Sequence, residues 1–131
     1  MDSWSDFGPL VLRLATGVIF VFHGWQKLQS GLPGVTGLVD SLGFPLPAVF
    51  AVLLIAAELG GGILLILGLL TRWAAKSLVI VSLVALFLVH FPNGFSLATG
   101  GYEYIMLLLA ASVSLALTGA GKWSLDRAIW K

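Results

Sequence analysis

The chain is 131 residues long, 59% hydrophobic and 10% charged, with a net charge of +1 at neutral pH and a mean hydropathy of +1.04. A soluble domain of that size has no way to hide so much apolar surface, so lipid is the expected solvent for most of it. The absence of cysteine excludes a disulfide framework, a thiol relay, an Fe–S cluster and thiolate zinc sites, and the near-neutral charge gives no sign of a nucleic-acid partner.

Residues 1–9, with Asp2, Asp6 and Pro9, form a short polar lead-in without a basic n-region. No Ala-x-Ala-like site follows the first apolar run, which is therefore expected to remain as a helix rather than be removed as a signal peptide. That first span covers about 10–28. Within it Arg13, Gly17, Phe20, Gly24 and Lys27 recur at three- and four-residue spacing and share a face, the face expected to meet the other helices. For Lys27, near the helix end, snorkelling to the headgroups is the favoured reading.

A Gly- and Pro-rich connector follows, in which Val35, Leu38, Val39 and Leu42 fall at helical spacing ahead of Gly43. It predicts a short amphipathic interfacial helix after the first span. The second span, about 46–70, carries Glu58 near its centre with Gly60, Gly61 and Gly62 beside it. A charge at the centre of a spanning helix costs at least ~2.5–3.5 kcal/mol, so it is expected to face a bundle interior and a partner, with Arg13 or His23 as the pairing to look for. The glycines allow a neighbouring backbone to come close. The third span, about 73–90, has Arg72 and Lys76 as a basic turn at its start and ends in Phe91-Pro92-Asn93-Gly94; the fourth covers about 102–118. The tail 122–131 alternates Trp and apolar residues with charges, as an interfacial anchor does.

Arg13, Arg72, Lys76, Lys122, Arg127 and Lys131 fall on one side of this topology and only Lys27 on the other. By the positive-inside rule both termini are expected in the cytoplasm of a cell, that is inner, membrane. The fold class is thus an all-α, polytopic four-transmembrane-helix bundle, with residues 1–131 as one membrane domain. Depth alone then places His23, His90 and Glu103 in an outer ring with Trp25, Tyr102 and Tyr104 nearby and Glu58 beneath. Glu58 is the candidate for proton transfer, against a purely structural ion pair. His23, His90 and Glu103, with Arg13, admit hydrogen bonding to a quinone head group, axial ligation of a haem by two histidines, a divalent metal, or ordinary interfacial polarity. The lack of a His pair at i,i+3 or i,i+4 spacing weakens the metal reading, and no metal ligands are assigned. No P-loop, Rossmann fingerprint or hydrolase elbow occurs in the right context.

Arg13, Gly17, Phe20, His23-Gly24-x-x-Lys27, Glu58-x-Gly60-Gly61, Gly68-x-x-Thr71-Arg72-x-Ala74-Ala75, His90, Gly101-x-Glu103 and Ser124-Leu125-Asp126 occur in this order over nearly the whole chain. In this the chain resembles the DoxX family of membrane proteins. The resemblance implies a four-helix membrane bundle, and a link to quinone-coupled sulfur oxidation as a subunit of thiosulfate:quinone oxidoreductase or to membrane redox complexes that deal with oxidative stress. The expectation is a small subunit of a quinone-linked oxidoreductase that binds quinone and moves protons near Glu58. A redox-enzyme partner protein must then take electrons from the substrate. The alternatives are a non-catalytic scaffold that recruits soluble redox enzymes, and a small-solute permease acting as a homo-oligomer.

Overall fold

A computed structural model of the chain describes residues 3–130; the readings that involve Asp2 and Lys131 lie outside the described residues. The described residues form helices and turns, with no strand. A single 3₁₀ turn, Trp4–Phe7, leads into α1 (Gly8–Ser30). Then come α2 (Leu32–Ser41), α3 (Pro47–Leu67) and α4 (Thr71–Val84), which continues through a π-helical stretch, Ala85–His90, and a 3₁₀ turn, Phe91–Asn93. The chain closes with α5 (Glu103–Thr118) and α6 (Leu125–Ile129). Helices occupy the four stretches read as spans, with ends moved by a few residues, most at α3, which stops at Leu67 because Gly68 takes a left-handed conformation (φ 68°). Three helices are long and apolar enough to cross a membrane; α5 is a shorter apolar helix, rising about 24 Å at 1.5 Å per residue.

The bundle closes on itself, α1 against α3, α3 against α4, α4 against α5 and α5 back on α1. Phe20, Leu65, Leu78 and Leu115 fill its axis and are almost wholly buried. Leu53, Ile80 and Leu107 point outward and are more than half exposed, the arrangement that suits a lipid surround. Residues Arg13, Thr16, Gly17, Phe20 and Gly24 make up the buried face of α1, as their spacing predicts. The α1–α3 crossing is a backbone contact: a Cβ on Gly17 would lie 2.7 Å from the Gly62 carbonyl oxygen, and one on Gly62 would lie 2.8 Å from the Val21 amide nitrogen. Gly60, by contrast, faces open space. The short helix α2 forms where the Val35/Val39 pattern puts it, and both valines are buried with Ala51 of α3 and packed by Phe44, Leu54 and Ile55.

The ends of the helices pose the main physical problem. The last four carbonyls of a helix have no partner within it, and in an apolar surround each unmet polar group costs several kcal/mol. At the end of α3 a Schellman turn meets part of the need: Leu69 N–H donates to the Leu64 carbonyl (2.9 Å) and Gly68 N–H to that of Leu65 (3.1 Å). Arg13 adds further donors there. Its guanidinium, buried to 2% exposure, donates from Nε to Leu65 (2.6 Å), from Nη1 to Ala120 and from Nη2 to Trp123 (3.0 Å) and Ile66 (3.5 Å), always to carbonyl oxygens. One side chain thus ties α1, the end of α3 and the segment after α5. Gly68 makes room for it, since a Cβ there would sit 2.8 Å from the Arg13 Cζ.

The same end carries two further ties. Asp126, at the start of α6, accepts from the amides of Leu70 (2.6 Å) and Thr71 (2.9 Å), which satisfies the first turn of α4 and holds Leu70 at φ 50°, a conformation that a leucine rarely adopts unaided. Arg72 Nη1 donates to the Leu117 carbonyl at the end of α5 (3.0 Å). Phe7 stacks on Trp123 at 5.9 Å between centroids, and Lys122 Nζ lies 4.0 Å from Asp6. Both described chain ends therefore share a face with the α3–α4 turn. Replacing Arg13 with Met should destabilise the detergent-solubilised protein by on the order of 3 kcal/mol, read as a drop in thermal midpoint. Arg13→Lys should recover only part of it, because a point charge cannot serve several carbonyls at once. An unchanged midpoint in Arg13→Met would mean that this network does not hold the bundle.

Candidate functional site

Glu58 sits eleven residues after the start of α3 and nine before its end, and is 5% exposed. Its partner is Lys27. Nζ of Lys27 lies 2.8 Å from Oε2 of Glu58, so the expected pairing with Arg13 or His23 and the favoured snorkelling of Lys27 are both corrected. The reason is local. Gly24 of α1 packs directly on Leu59 of α3, with room for no Cβ between them, and this close crossing brings Lys27, one turn further along α1, beside Glu58. In a lipid surround a lysine within reach of a buried carboxylate gains more from the pair than from stretching to the headgroups. Arg13 is committed elsewhere, ten residues and about 15 Å along the helix from His23.

Oε2 of Glu58 is enclosed, with the Lys27 ammonium as its charged neighbour, while the Lys27 side chain remains 25% exposed. His23 lies one turn before Lys27 and within electrostatic reach of Lys27, Glu58 and His90. Its ring stands 6.2 Å from that of Tyr104 on α5. Two helices thus supply a cation, a carboxylate and an imidazole, and a third supplies a phenol.

His90 and Glu103, placed by depth in the same outer ring, mainly hold the loop above it. Oε1 of Glu103 accepts from the Leu97 amide (2.7 Å), and Nδ1 of His90 lies 3.0 Å from the Gly100 carbonyl oxygen, which also accepts from Asn93 (3.2 Å). The amides of Tyr102 and Glu103 donate back to Gly94 and Phe95. Tyr102 stacks on Phe91 at 5.5 Å and meets Phe95 edge-on at 5.3 Å. The loop after α4 is thereby a built cap rather than a slack connector. Among the described residues no three His, Asp or Glu side chains converge as metal ligands do. Sequence reasoning gave Tyr104 a place near the ring but no role, and gave Lys27 the wrong surroundings. The i,i+4 spacing of His23 and Lys27 was the available signal.

A charged pair that excludes water couples its members strongly. Glu58→Gln and Lys27→Met should each lower the thermal midpoint, and the double variant should be more stable than the sum predicts by about 1–3 kcal/mol. Strict additivity would show that the two side chains act independently.

The DoxX family model matches residues 8–91. Over 131 residues the chain is 36% identical to "Putative oxidoreductase CatD" of Bacillus subtilis (strain 168), covering 100% of this chain and 93% of that protein. It is 31% identical to "Inner membrane protein YqjF" of Escherichia coli (strain K12), covering 100% and 98%, and 30% identical to "Inner membrane protein YphA" of the same organism, covering 95% and 96%. No solved structure matches significantly. With its apolar helices, its buried carboxylate and relatives that are similar from end to end, the chain belongs to the DoxX family of multi-pass membrane proteins.

Proposed function

We propose that the chain, as one membrane domain, is a small subunit of a quinone-linked redox complex, and that the Lys27–Glu58 pair is where it handles protons. The pair carries the reading: a buried carboxylate whose charge is set by a lysine ammonium 2.8 Å away can take up or release a proton as that partner's charge or position changes. The name of the Bacillus subtilis relative, "Putative oxidoreductase CatD", points to a redox setting. The residues fit a quinone head group. Lys27, His23 and Tyr104 carry donors for carbonyl oxygens, and Glu58 carries the acceptor that a hydroquinone hydroxyl needs. When bound, a quinone supplies two-electron, two-proton chemistry. In this chain Glu58 holds or passes the proton at Oε2, Lys27 balances its charge, His23 relays toward the outer face, and Tyr104 packs beside the imidazole. A chain without cysteine, flavin or nicotinamide motifs needs a partner protein to take electrons from a substrate.

A second reading, a non-catalytic anchor for soluble redox enzymes, is favoured by the way Arg13, Arg72, Asp126, His90 and Glu103 all serve the fold. A permease fits less well, because the bundle axis is filled by Phe20, Leu65, Leu78 and Leu115. In either redox reading the positively charged face, with both chain ends, lies in the cytoplasm.

In vesicles from a strain lacking the chain, complementation should restore a quinone-linked redox rate, and Glu58→Gln should lower it about 10²-fold or more, the range of general acid–base catalysis. The purified protein should bind a soluble quinone analogue. If no analogue binds and deletion changes no such rate, the scaffold reading replaces this one. For topology, the cysteine-free chain gives a clean background: in intact cells an impermeant maleimide should label Thr99→Cys and spare Ala128→Cys. The reverse pattern would invert the proposed orientation.

A further inference from the structure

A cleft of about 510 Å³ opens on the face that carries both chain ends, between the α3–α4 turn, the end of α5 and α6. Its lining includes Arg72, Arg127, Thr71 and the indoles of Trp73 and Trp130. Asp126 also lines it, but both its oxygens already accept backbone amides. The cations are less committed. Arg72 places one nitrogen on the Leu117 carbonyl and has further donors to offer. The guanidinium of Arg127 has no partner among the described residues. Thr71 is wholly buried, and its hydroxyl has no hydrogen-bond partner. Trp73 and Trp130 are 70% and 59% exposed, and Lys76 rests on the Trp73 ring at 4.6 Å; indoles with basic neighbours are typical of the headgroup level of a bilayer.

The cleft has an apolar continuation. Thr118 lines both it and a second groove that runs along α5 past Leu117, Val113, Ala110 and Met106. A polar, cationic chamber at the headgroup level joined to an apolar groove down a spanning helix has the form of a lipid. We propose that this is a binding site for an anionic phospholipid. Its phosphodiester lies between the guanidinium groups of Arg72 and Arg127, and one acyl chain lies in the α5 groove. Arginine forks match phosphate oxygens, and a basic pocket between helices at the membrane surface selects anionic headgroups. A free phosphate ion would use the chamber and leave the groove idle.

Native mass spectrometry of the full chain, after exchange into micelles containing equal phosphatidylglycerol and phosphatidylcholine, tests this. The wild type should retain phosphatidylglycerol preferentially. Arg127→Gln, at an exposed residue whose guanidinium has no partner among the described residues, should weaken that retention about fivefold, the effect of one basic residue at a membrane surface. Val113→Trp, which fills the groove without touching charge, should also weaken it, whereas inorganic phosphate should not displace the lipid. Equal retention of both lipids, indifference to Arg127→Gln, or full displacement by phosphate with Val113→Trp silent would each overturn the proposal. The last outcome would leave a plain phosphate site, and loss of a co-purifying soluble protein in Arg127→Gln with lipid retention unchanged would leave a protein-docking surface. These readouts do not depend on quinone or on Glu58.

Discussion

The guanidinium of Arg13 on the carbonyls of Leu65, Ile66, Ala120 and Trp123 is the interaction on which the rest depends. In water, the open carbonyls at a helix end would be solvated at little cost. Buried inside the protein away from water they must be met from within it, and a single planar donor group that reaches two chain segments does this while fixing their relative position. Arg72 repeats the solution at the end of α5, and Asp126 applies the mirror-image one to the amides that open α4. These three side chains account for most of the charged residues that are drawn into the fold at the face carrying the chain ends. They explain why a tail of mixed Trp and charge folds back on the bundle instead of lying loose on a membrane.

With that end fixed, the glycine seam sets what happens at the other. Gly17 against Gly62 and Gly24 against Leu59 let α1 and α3 touch backbone to backbone, and the side chains that flank the seam are forced together. Lys27 and Glu58 are such a pair. Their meeting follows from helix proximity, which itself follows from the absence of side chains at the crossing. The cap built on Glu103, His90 and the stacked rings of Phe91 and Tyr102 fixes the connection from α4 to α5.

Much of this was legible in the amino-acid sequence. Apolar runs separated by Gly- and Pro-rich turns give the helices and the lipid environment, because hydrophobic length is a local property. The buried face of α1 follows from its three- and four-residue spacing, and α2 from the spacing of Val35 and Val39. Glu58 stands out because a carboxylate is expensive at that depth. What only the tertiary structure decided is which partner each polar group takes. Helix rotation and axial offset are set by packing between segments, and one sequence does not encode them locally. The π-helical stretch at Ala85–His90 is a case in point: it breaks the helical register just before His90, so spacing from earlier residues of α4 no longer gives its face. Arg13 and Lys27 share a face of α1, yet one serves carbonyls at the end of α3 and the other a carboxylate near the middle of that helix. The physical reason is that charge in a membrane goes to the nearest group that can neutralise or solvate it, and distance exists only once the helices have packed.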